Sequence, residues 1–591
     1  MRRPAWFPLA AAALAFLVTA FLAAPLTAYL FNAGAVATPP GVVVAWAWPA
    51  VLCVAALVAL VGVAARSRGR EVLAALLLAA AALLYVQGNV LVRDYGKFDG
   101  SAIDWSRHRA AGWLEAALWL GVAATAVAAR RRVWRWAPAA ALVIVAANGL
   151  ALGGHLLSGR SFAHETATGL DERFARFSRE KNVLVVVMDA FASPVFEQVL
   201  AEDPAWRERL DGFTWYRDAL GAYPTTLPSI PAMLSGRTTD NAQPVRAFLR
   251  ESLQDASLPV VLRRHGFDTA TTTEPIFTEF LGDAPCASTV SFLDAAPGSR
   301  RGRDARLVWN VALFRYLPHD LKRRVHDDQR WLLRERASAA GAPPYATDEP
   351  FCAPSPNQQA GRLMQQALLQ ASTAGSDRPT FKFLHFFTTH MPYFLDADGT
   401  QLTRERAAAM TEAQAVTRQS ACALDQFTAI LRRLDELGVG RQTLVILAGD
   451  HGSHLSWLPG VDDVAAAAGR PQPTRALPLL LVRMPGAAGP LKVSSAPVCL
   501  TDIPATVASV MGVAAAFPGQ ALHEVPEAGP RPRLYRDYTW THDFWWEEYL
   551  PAMTEYRVEG PARDPASWGA GRALPTGPAT PAAAPPASAP R

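Results

Sequence analysis

Polar side chains able to do chemistry follow two strongly apolar stretches of this sequence. Asp189 comes directly after the stretch Asn182–Met188, and Asp450 and His451 follow the stretch Thr443–Ala448 within a glycine-flanked turn. A carboxylate at the carboxyl end of a buried strand stands where α/β proteins place their ligands. Asp450 and His451 offer an oxygen and a nitrogen ligand at adjacent positions. Taken alone, each stretch is more simply a strand that ends in a turn with a capping aspartate.

A third element places hydroxyl groups just before a short predicted helix. Residues 223–237 read Tyr-Pro-Thr-Thr-Leu-Pro-Ser-Ile-Pro-Ala-Met-Leu-Ser-Gly-Arg, and the helix is expected to end at Gly236. A hydroxyl at a helix N-terminus meets unpaired backbone N–H groups and the positive end of the helix dipole. These favour an alkoxide or a bound phosphate. An ordinary Thr or Ser N-cap has the same signature, so this segment alone does not separate the two.

In order along the chain, these segments resemble the alkaline phosphatase-like superfamily, in its sulfatase-type branch. Sulfatases carry a nucleophile motif Cys/Ser-x-Pro-Ser-Arg, followed by Leu-Thr-Gly-Arg at the helix end. Residues 226–237 fit this frame without a gap, which puts Thr226 at the nucleophile position. The resemblance covers roughly residues 181–515 and also includes Asp189, His390 in His-Met-Pro-Tyr, Asp450-His451-Gly452, and the segment Thr501–Thr506.

Three departures from the sulfatase pattern narrow the expected activity. Sulfatases mature a Cys or Ser into formylglycine, and Thr226 cannot be converted in that way. Ile230 occupies the position of the motif arginine, and Asp189-Ala190 stands where paired aspartates are usual. A threonine nucleophile on five membrane helices instead resembles the phosphoethanolamine and phosphoglycerol transferases, including lipoteichoic acid synthase-like enzymes. Those enzymes typically have Glu where this chain has the shorter Asp189.

The candidate metal ligands are Asp189, Asp450, His451 and the hydroxyl oxygen of Thr226. A four-coordinate shell of oxygen and nitrogen atoms suits one divalent ion, zinc or manganese, and fits calcium or magnesium less well. Such an ion lowers the pKa of a coordinated hydroxyl and offsets charge on a phosphoryl group. The resemblance thus implies attack by Thr226 on the head-group phosphate of a membrane phospholipid, through a phospho-threonine intermediate. An envelope glycan or glycolipid is the expected acceptor.

Three further histidines are candidates for the substrate site. His390 is expected to bind substrate or to act as a general acid. His385 and His454 are weaker candidates, because a hydrogen-bonded structural role explains each of them at least as well.

Two other functions stay open at this stage. A hydrolase of phosphate or sulfate esters would use the same site, with water taking the group from Thr226. A lipid-sensing envelope regulator would keep the fold without turnover. Retention of Asp189, Thr226, Asp450 and His451 together argues against the regulator, because a sensor does not need all four.

The N-terminal part of the chain predicts a membrane domain. A spanning helix needs roughly 20 apolar residues. Five segments are candidates: Ala5–Phe31, Val42–Ala65, Val72–Val92, Trp113–Ala129 and Ala137–Leu157. Nine basic residues flank these segments on one side and four on the other, which predicts a cytoplasmic N-terminus. Five spans then place the rest of the chain outside a bacterial cytoplasmic (inner) membrane. A cleaved signal peptide is disfavoured, since the first segment is too long and further spans follow.

Composition agrees with a membrane domain joined to an α/β domain. Half of the 591 residues are apolar and the mean hydropathy is +0.09, which excludes a mainly disordered chain and is too apolar for a purely soluble enzyme. The net charge of +5 gives no reason to expect a nucleic-acid partner. The predicted fold class is a multi-span α-helical membrane domain followed by an α/β alkaline phosphatase/sulfatase-like domain.

The predicted domain boundaries follow from these patterns. Residues 1–160 form the membrane domain, 161–181 an amphipathic connecting helix, 182–560 the extracytoplasmic catalytic domain, and 561–591 a disordered Pro/Ala-rich tail. One of several possible disulfides joins Cys286 to Cys352, which both lie in segments with the composition of loops. Nothing in the sequence sets the oligomeric state.

Overall fold

The computed structural model describes residues 6–33, 36, 38–95, 103, 105–160, 162, 172–281, 286–289, 292, 300–327, 331–333, 352, 354–539 and 548–577. The chain divides into two units. The first comprises Met1–Thr168 and Asp294–Ala342, and the second comprises Gly169–Leu293 and Pro343–Arg591. The predicted continuous domain over 182–560 is therefore wrong in one respect, because the segment Asp294–Ala342 groups with the N-terminal helices.

Helices and strands alternate along the second unit, whereas the described elements of the first unit are all helices. The α-helices are α1 (Phe7–Val18), α2 (Ala24–Phe31), α3 (Pro40–Ala45), α4 (Trp48–Ala64), α5 (Ser67–Asn89), α6 (Arg109–Ala128), α7 (Arg130–Leu157), α8 (Ser193–Glu202), α9 (Trp206–Arg209), α10 (Thr226–Ser235), α11 (Val245–Arg250), α12 (Leu258–Arg264), α13 (Pro275–Thr278), α14 (Arg300–Tyr316), α15 (His319–His326), α16 (Pro356–Ala371), α17 (Arg404–Ala408), α18 (Glu412–Glu436), α19 (Val461–Ala467) and α20 (Ile503–Met511). The strands are β1 (Arg176–Ser178), β2 (Asn182–Met188), β3 (Phe213–Tyr216), β4 (Asp268–Thr273), β5 (Cys286–Ser288), β6 (Thr373–Ser376), β7 (Thr380–Phe386), β8 (Thr443–Ala448), β9 (Leu480–Arg483), β10 (Lys492–Ser494), β11 (Arg533–Asp537), β12 (Met553–Val558) and β13 (Arg572–Leu574).

The first unit holds four helices that are long and apolar enough to cross a membrane, among the described residues. They are Phe7–Phe31, Ser67–Asn89, Trp105–Ala128 and Arg130–Leu157. The second of the five predicted spans is a shorter apolar helix, α4, with 17 residues. Pro49 in the first turn of α4 explains the break from α3, because proline lacks the N–H that a continuing helix would use.

Small residues and one buried acid organise this unit. Alanines of α1, α5 and α7 pack together in one core, as is typical where helices approach closely in a membrane. Glu115 of α6 is only 2% exposed and accepts hydrogen bonds from Gln87, from Arg93 at 2.9 Å and from the backbone N–H of His319 at 2.9 Å. An acid inside a span is tolerated when it is paired in this way.

The second unit is an α/β domain around an eight-stranded sheet with the order β10-β3-β9-β8-β2-β7-β4-β5. The strand pairs are parallel except those of β9 with β3 and β8, so the sheet is mixed. Side chains of β2 alternate between two cores, with Val185 on one face and Val186 on the other. Burial on both faces is the reason that β2 is an unbroken apolar run. The predicted fold class is confirmed in this arrangement.

Two predictions of local structure are wrong. The connecting helix over 161–181 is replaced, in its described part, by a 3₁₀ turn at Glu172–Phe174 and by β1, which pairs in parallel with β6. The tail is ordered up to residue 577, because β13 pairs with β12 and Trp568 is buried with its indole N–H donating to Ala562. Residues 578–591 lie outside the described part.

The structure shows no disulfide among the described cysteines. The Cys286 thiol is directed at the carbonyl of Thr278, whereas Cys352 packs in a small core with Cys422. The predicted pairing of Cys286 with Cys352 is therefore not found.

Candidate functional site

Neighbouring strands bring the predicted site residues together. β2 and β8 pair in parallel and in register, so their carboxyl ends meet at one edge of the sheet. Asp189 follows β2, and Asp450 and His451 follow β8. Helix α10 begins at this same edge with Thr226, as its sequence predicts.

The candidate ligand atoms lie within one metal coordination sphere. One atom from each of Asp189, Asp450 and His451 lies within 4.8 Å of the others. His451 Nε2 is 3.6 Å from Asp450 Oδ2 and 3.8 Å from Asp189 Oδ1. The Thr226 hydroxyl donates a hydrogen bond to Asp189 Oδ2 at 3.3 Å. These four side chains therefore converge on a single point.

Two unpaired carboxylate oxygens fit a cation at that point. Asp189 and Asp450 are 1% and 0% exposed, and Asp189 Oδ1 and Asp450 Oδ2 accept no hydrogen bond from the described residues. A buried charged oxygen left without a partner costs about 1–3 kcal/mol or more. The His451 Nδ1–H donates to the Gly452 carbonyl at 2.7 Å, which leaves the Nε2 lone pair directed at the aspartates. A divalent cation satisfies all three atoms.

The backbone around the carboxylates is tightly constrained. Ala190 has φ +58°, a left-handed conformation that costs a non-glycine residue about 1–2 kcal/mol, and its N–H donates to Asp450 Oδ1 at 2.9 Å. A Cβ on Gly449 would lie 2.2 Å from the Phe191 carbonyl oxygen, and one on Gly452 2.1 Å from that of Thr474. Both glycines are therefore needed for close backbone approach.

The start of α10 distinguishes a reactive hydroxyl from a helix cap. Thr225 is the N-cap residue, but its side chain makes no capping hydrogen bond. Its hydroxyl instead forms a short hydrogen bond with the Tyr538 hydroxyl. Thr226, the first residue of the helix, turns its hydroxyl to Asp189. Neither threonine is an ordinary N-cap, so the capping alternative is excluded at both positions.

His385 lies beside the carboxylate of Asp189. It is fully buried on β7, with Nε2 3.4 Å from Asp189 Oδ2. Burial alone would lower the pKa of His385, but the hydrogen bond and charge of Asp189 raise it overall. Burial alone would likewise raise the pKa of Asp189, but the imidazoles of His390, His385 and His451 hold it below its ordinary value. His385 thus contacts a ligand and does not line the substrate cleft.

A small cleft of about 90 Å³ opens beside the candidate metal ligands. Its lining includes His390, His451, His454, Tyr393 and Arg475. The His390 Nδ1–H donates to the Met391 carbonyl at 2.7 Å, so Nε2 is the nitrogen whose protonation can change. His454 Nε2 lies 3.4 Å from Glu412 at the exposed side.

Sequence reasoning missed Arg475, and it did not single out Tyr538 within the aromatic stretch Tyr535–Tyr549. Arg475 lies in the 3₁₀ turn Pro473–Ala476, and Tyr538 follows β11, almost 90 residues after the turn that carries Asp450 and His451. No local pattern marks either residue, because only the chain path brings them to the site.

Comparison with known proteins identifies one family. The family model for sulfatases matches residues 181–513. No curated protein matches the sequence. The solved structures that match include the 2-O GAG sulfatase BT1596, 12% identical with a TM-score of 0.39, covering 65% of this chain and 81% of the other. The lipoteichoic acid synthase LtaP from Listeria monocytogenes is 10% identical with a TM-score of 0.37, covering 67% and 86%. The phosphonate monoester hydrolase SpPMH from Silicibacter pomeroyi is 13% identical with a TM-score of 0.37, covering 65% and 87%.

Proposed function

This chain belongs to the sulfatase family, and from that premise we propose that it is a membrane-bound, metal-dependent transferase. It moves a phosphoethanolamine or phosphoglycerol head group from a phospholipid to a hydroxyl of an envelope glycan or glycolipid. The observation that carries the proposal is the Thr226 hydroxyl, held by the buried Asp189 in a chain that also has helices long enough to cross a membrane. Thr226 cannot become formylglycine, so it acts as the nucleophile itself.

Asp189, Asp450 and His451 would hold the divalent ion, with the Thr226 oxygen beside it. When bound, zinc or manganese lowers the pKa of a nearby hydroxyl and offsets negative charge on the phosphoryl group. Thr226 also lies at the first position of α10, where the helix dipole favours negative charge. The chain's own residues thereby orient the nucleophile before substrate enters.

Transfer then takes two in-line displacements. In the first, the bond between Thr226 Oγ1 and phosphorus forms, the bond from phosphorus to the diacylglycerol oxygen breaks, and His390 Nε2 donates the proton that the departing oxygen needs. The proton released by Thr226 restores the protonated His390. In the second, the acceptor hydroxyl attacks phosphorus, and Thr226 leaves with the acceptor's proton.

The proposed location is the bacterial inner membrane, with the catalytic unit on the extracytoplasmic side. The long apolar helices support a membrane location, and the basic residues that flank them support a cytoplasmic N-terminus, which places the catalytic unit outside when α4 is a fifth span. The covalent tether raises the effective concentration of the catalytic unit near a lipid donor. Orientation depends on whether α4 also spans.

The test is intact mass spectrometry of the detergent-purified, zinc- or manganese-loaded protein after incubation with mixed phospholipids. We expect the wild type to gain the mass of one phosphoethanolamine or phosphoglycerol unit and to release diacylglycerol. Thr226→Ala should gain nothing, and Thr226→Ser should keep a reduced adduct.

Ser229→Ala is the matched control, because it removes a buried hydroxyl from the same helix and should still form the adduct. Diacylglycerol release with free head-group phosphate and no transfer would indicate a hydrolase. Absence of adduct, of diacylglycerol and of bound metal would contradict the enzyme and favour a lipid-sensing regulator.

A further inference from the structure

Arg475 is the only described residue lining the catalytic cleft that carries a permanent positive charge. We propose that Arg475 binds the non-bridging oxygens of the transferred phosphoryl group and is a substrate-binding residue. This assignment rests on the proposed function, since it concerns the same reaction.

The guanidinium is held from one side by the segment that follows β11. One terminal nitrogen of Arg475 donates to the Tyr538 carbonyl at 3.2 Å and lies 3.4 Å from Asp537 Oδ1. The side chain is 33% exposed, so it is anchored without being enclosed. Arginine has five N–H donors in a rigid fork, and the contacts to described residues involve only one of its nitrogens. The remaining edge of the fork is therefore able to meet a ligand in the cleft.

The backbone of Arg475 is joined directly to the metal-ligating turn. Its carbonyl accepts a hydrogen bond from the Gly452 N–H at 3.2 Å, one residue after the metal ligand His451. The Tyr535 hydroxyl donates to the same carbonyl at 3.4 Å. The position of the guanidinium is thus tied to the position of the ligands rather than to a mobile loop.

The ion pair of Arg475 with a described residue is made to Asp537, which does not line the cleft. Among the described residues that line the cleft, none is a carboxylate. The described lining of the cleft therefore carries the positive charge of Arg475 and no carboxylate, as a phosphoryl site requires.

Size and geometry also fit a tetrahedral oxyanion. A cleft of about 90 Å³ has room for one phosphoryl group but not for a lipid tail or a sugar, which must project outside. A planar guanidinium makes two parallel hydrogen bonds to phosphate oxygens, whereas a lysine makes a single point contact. Arg475 therefore orients the phosphoryl group and also offsets its negative charge.

The segment after β11 also reaches the nucleophile. Tyr538, whose carbonyl accepts from Arg475, hydrogen-bonds through its hydroxyl to Thr225, the neighbour of Thr226. Tyr538 acts through other residues and is a positioning residue. Tyr538→Phe removes the link to Thr225 but leaves the carbonyl that holds Arg475, so it should lower turnover without weakening phosphate binding.

The test measures binding of inorganic phosphate to the full chain, loaded with zinc or manganese in detergent, by isothermal titration calorimetry. We expect Arg475→Gln to raise the dissociation constant about 10- to 100-fold, the range expected when charge-assisted hydrogen bonds are lost. Arg475→Lys should raise the dissociation constant less than Arg475→Gln does. In the hydrolysis of bis(p-nitrophenyl) phosphate, Arg475→Gln should raise KM more than it lowers kcat.

Arg470→Gln is the matched control, because Arg470 lies five residues earlier and donates to the Pro565 carbonyl at 2.8 Å instead of lining the cleft. It should bind phosphate as the wild type does. Metal content and thermal stability are measured for every variant, and Arg475→Lys carries the test if Arg475→Gln does not fold.

An unchanged dissociation constant in both Arg475 variants would overturn the assignment. So would absence of phosphate binding by the wild type, or loss of metal in every Arg475 variant that folds, since Arg475 would then act through the metal site. Weakened phosphate binding without head-group transfer by the wild type would reject the proposed transferase and retain Arg475 as an oxyanion ligand.

Discussion

At the scale of single residues, the candidate metal site depends on carboxylates that have few other partners among the described residues. Asp450 is fully buried, and one of its oxygens accepts only from the Ala190 N–H. Asp450→Asn keeps the volume but removes the charge. We expect it to lose bound metal and at least about 100-fold in activity, since even weaker perturbations of a metal site cost 10- to 100-fold.

Elemental analysis of Asp450→Asn after dialysis measures the metal directly. Asp462→Asn is a poor control, because Asp462 accepts several backbone hydrogen bonds. The exposed Asp463, one residue on, is better, and Asp463→Asn should keep both metal and activity. Full metal occupancy in Asp450→Asn would contradict its role as a ligand.

A second residue-scale prediction concerns pH. Lys322 of α15 is 3% exposed and donates to the carbonyls of Phe314 and Arg315, and burial lowers its pKa to about 7. The unfolded chain binds more protons than the folded chain between pH 7 and the ordinary lysine pKa of about 10.4. Folding stability should therefore rise with pH in this window, by up to about 1.4 kcal/mol per pH unit.

Lys322→Met removes this dependence. Thermal unfolding of both proteins from pH 7 to pH 9.5 should show the variant most stabilised relative to the wild type at pH 7. That advantage should shrink as pH rises. Parallel profiles across the range would mean that Lys322 is not held in a low-pKa environment.

At the scale of elements, the contact between α6 and α15 depends on a glycine. A Cβ on Gly112 would lie 2.6 Å from the His319 ring, whose backbone N–H donates to Glu115. Overpacking of this kind costs typically about 1–3 kcal/mol. Gly112→Ala should therefore lower the thermal stability of the first unit and expose α14 and α15 to proteases.

Gly121→Ala is the control on the same helix, since nothing lies within 4 Å of the added carbon. It should leave melting temperature and protease sensitivity unchanged. Equal effects of the two substitutions would indicate a general response of α6 rather than loss of the contact with α15.

The sequence predicted helices and strands correctly where a short sequence pattern specifies them, and wrongly where a distant partner strand decides. The apolar runs of β2 and β8 and the glycine that ends α10 predicted those elements correctly, because burial on both faces and a left-handed residue leave clear signatures. Phe174 and Phe177 are spaced as on a helix, yet β1 forms because β6 offers a strand partner nearly 200 residues away. A helical spacing of two aromatic residues does not outweigh that pairing.

At the scale of the whole molecule, the status of α4 decides which side of the membrane the catalytic unit occupies. With α4 as a fifth span, a cytoplasmic N-terminus puts the segment between α4 and α5 inside and the catalytic unit outside. With four spans the two positions exchange. Arg66, before α5, and Arg68 and Arg70, in its first turn, favour the first arrangement.

Single added cysteines test this prediction in intact cells with a membrane-impermeant maleimide. Ala466→Cys, exposed on α19, should label, and Ser67→Cys, exposed at the start of α5, should not. Labelling is judged against the parent protein, whose own five cysteines set the background. The reverse pattern would place the catalytic unit in the cytoplasm and contradict the proposed access to envelope acceptors.

The sequence by itself determined the α/β class, the apolar helices and four candidate site residues that the structure brings together. Asp189, Thr226, Asp450 and His451 each sit at the end of a strand or the start of a helix, where short-range patterns mark the position. Their convergence could be inferred because parallel strands end at a common edge of a sheet.

Only the tertiary structure decided which distant residues join them. Arg475 reaches the cleft through the turn before β9, and Tyr538 reaches Thr225 across more than 300 residues of chain. The segment Asp294–Ala342 similarly groups with the N-terminal helices, although it lies between stretches of the second unit. These contacts join residues far apart in the chain. Neither the periodicity nor the spacing of residues in the sequence indicates them.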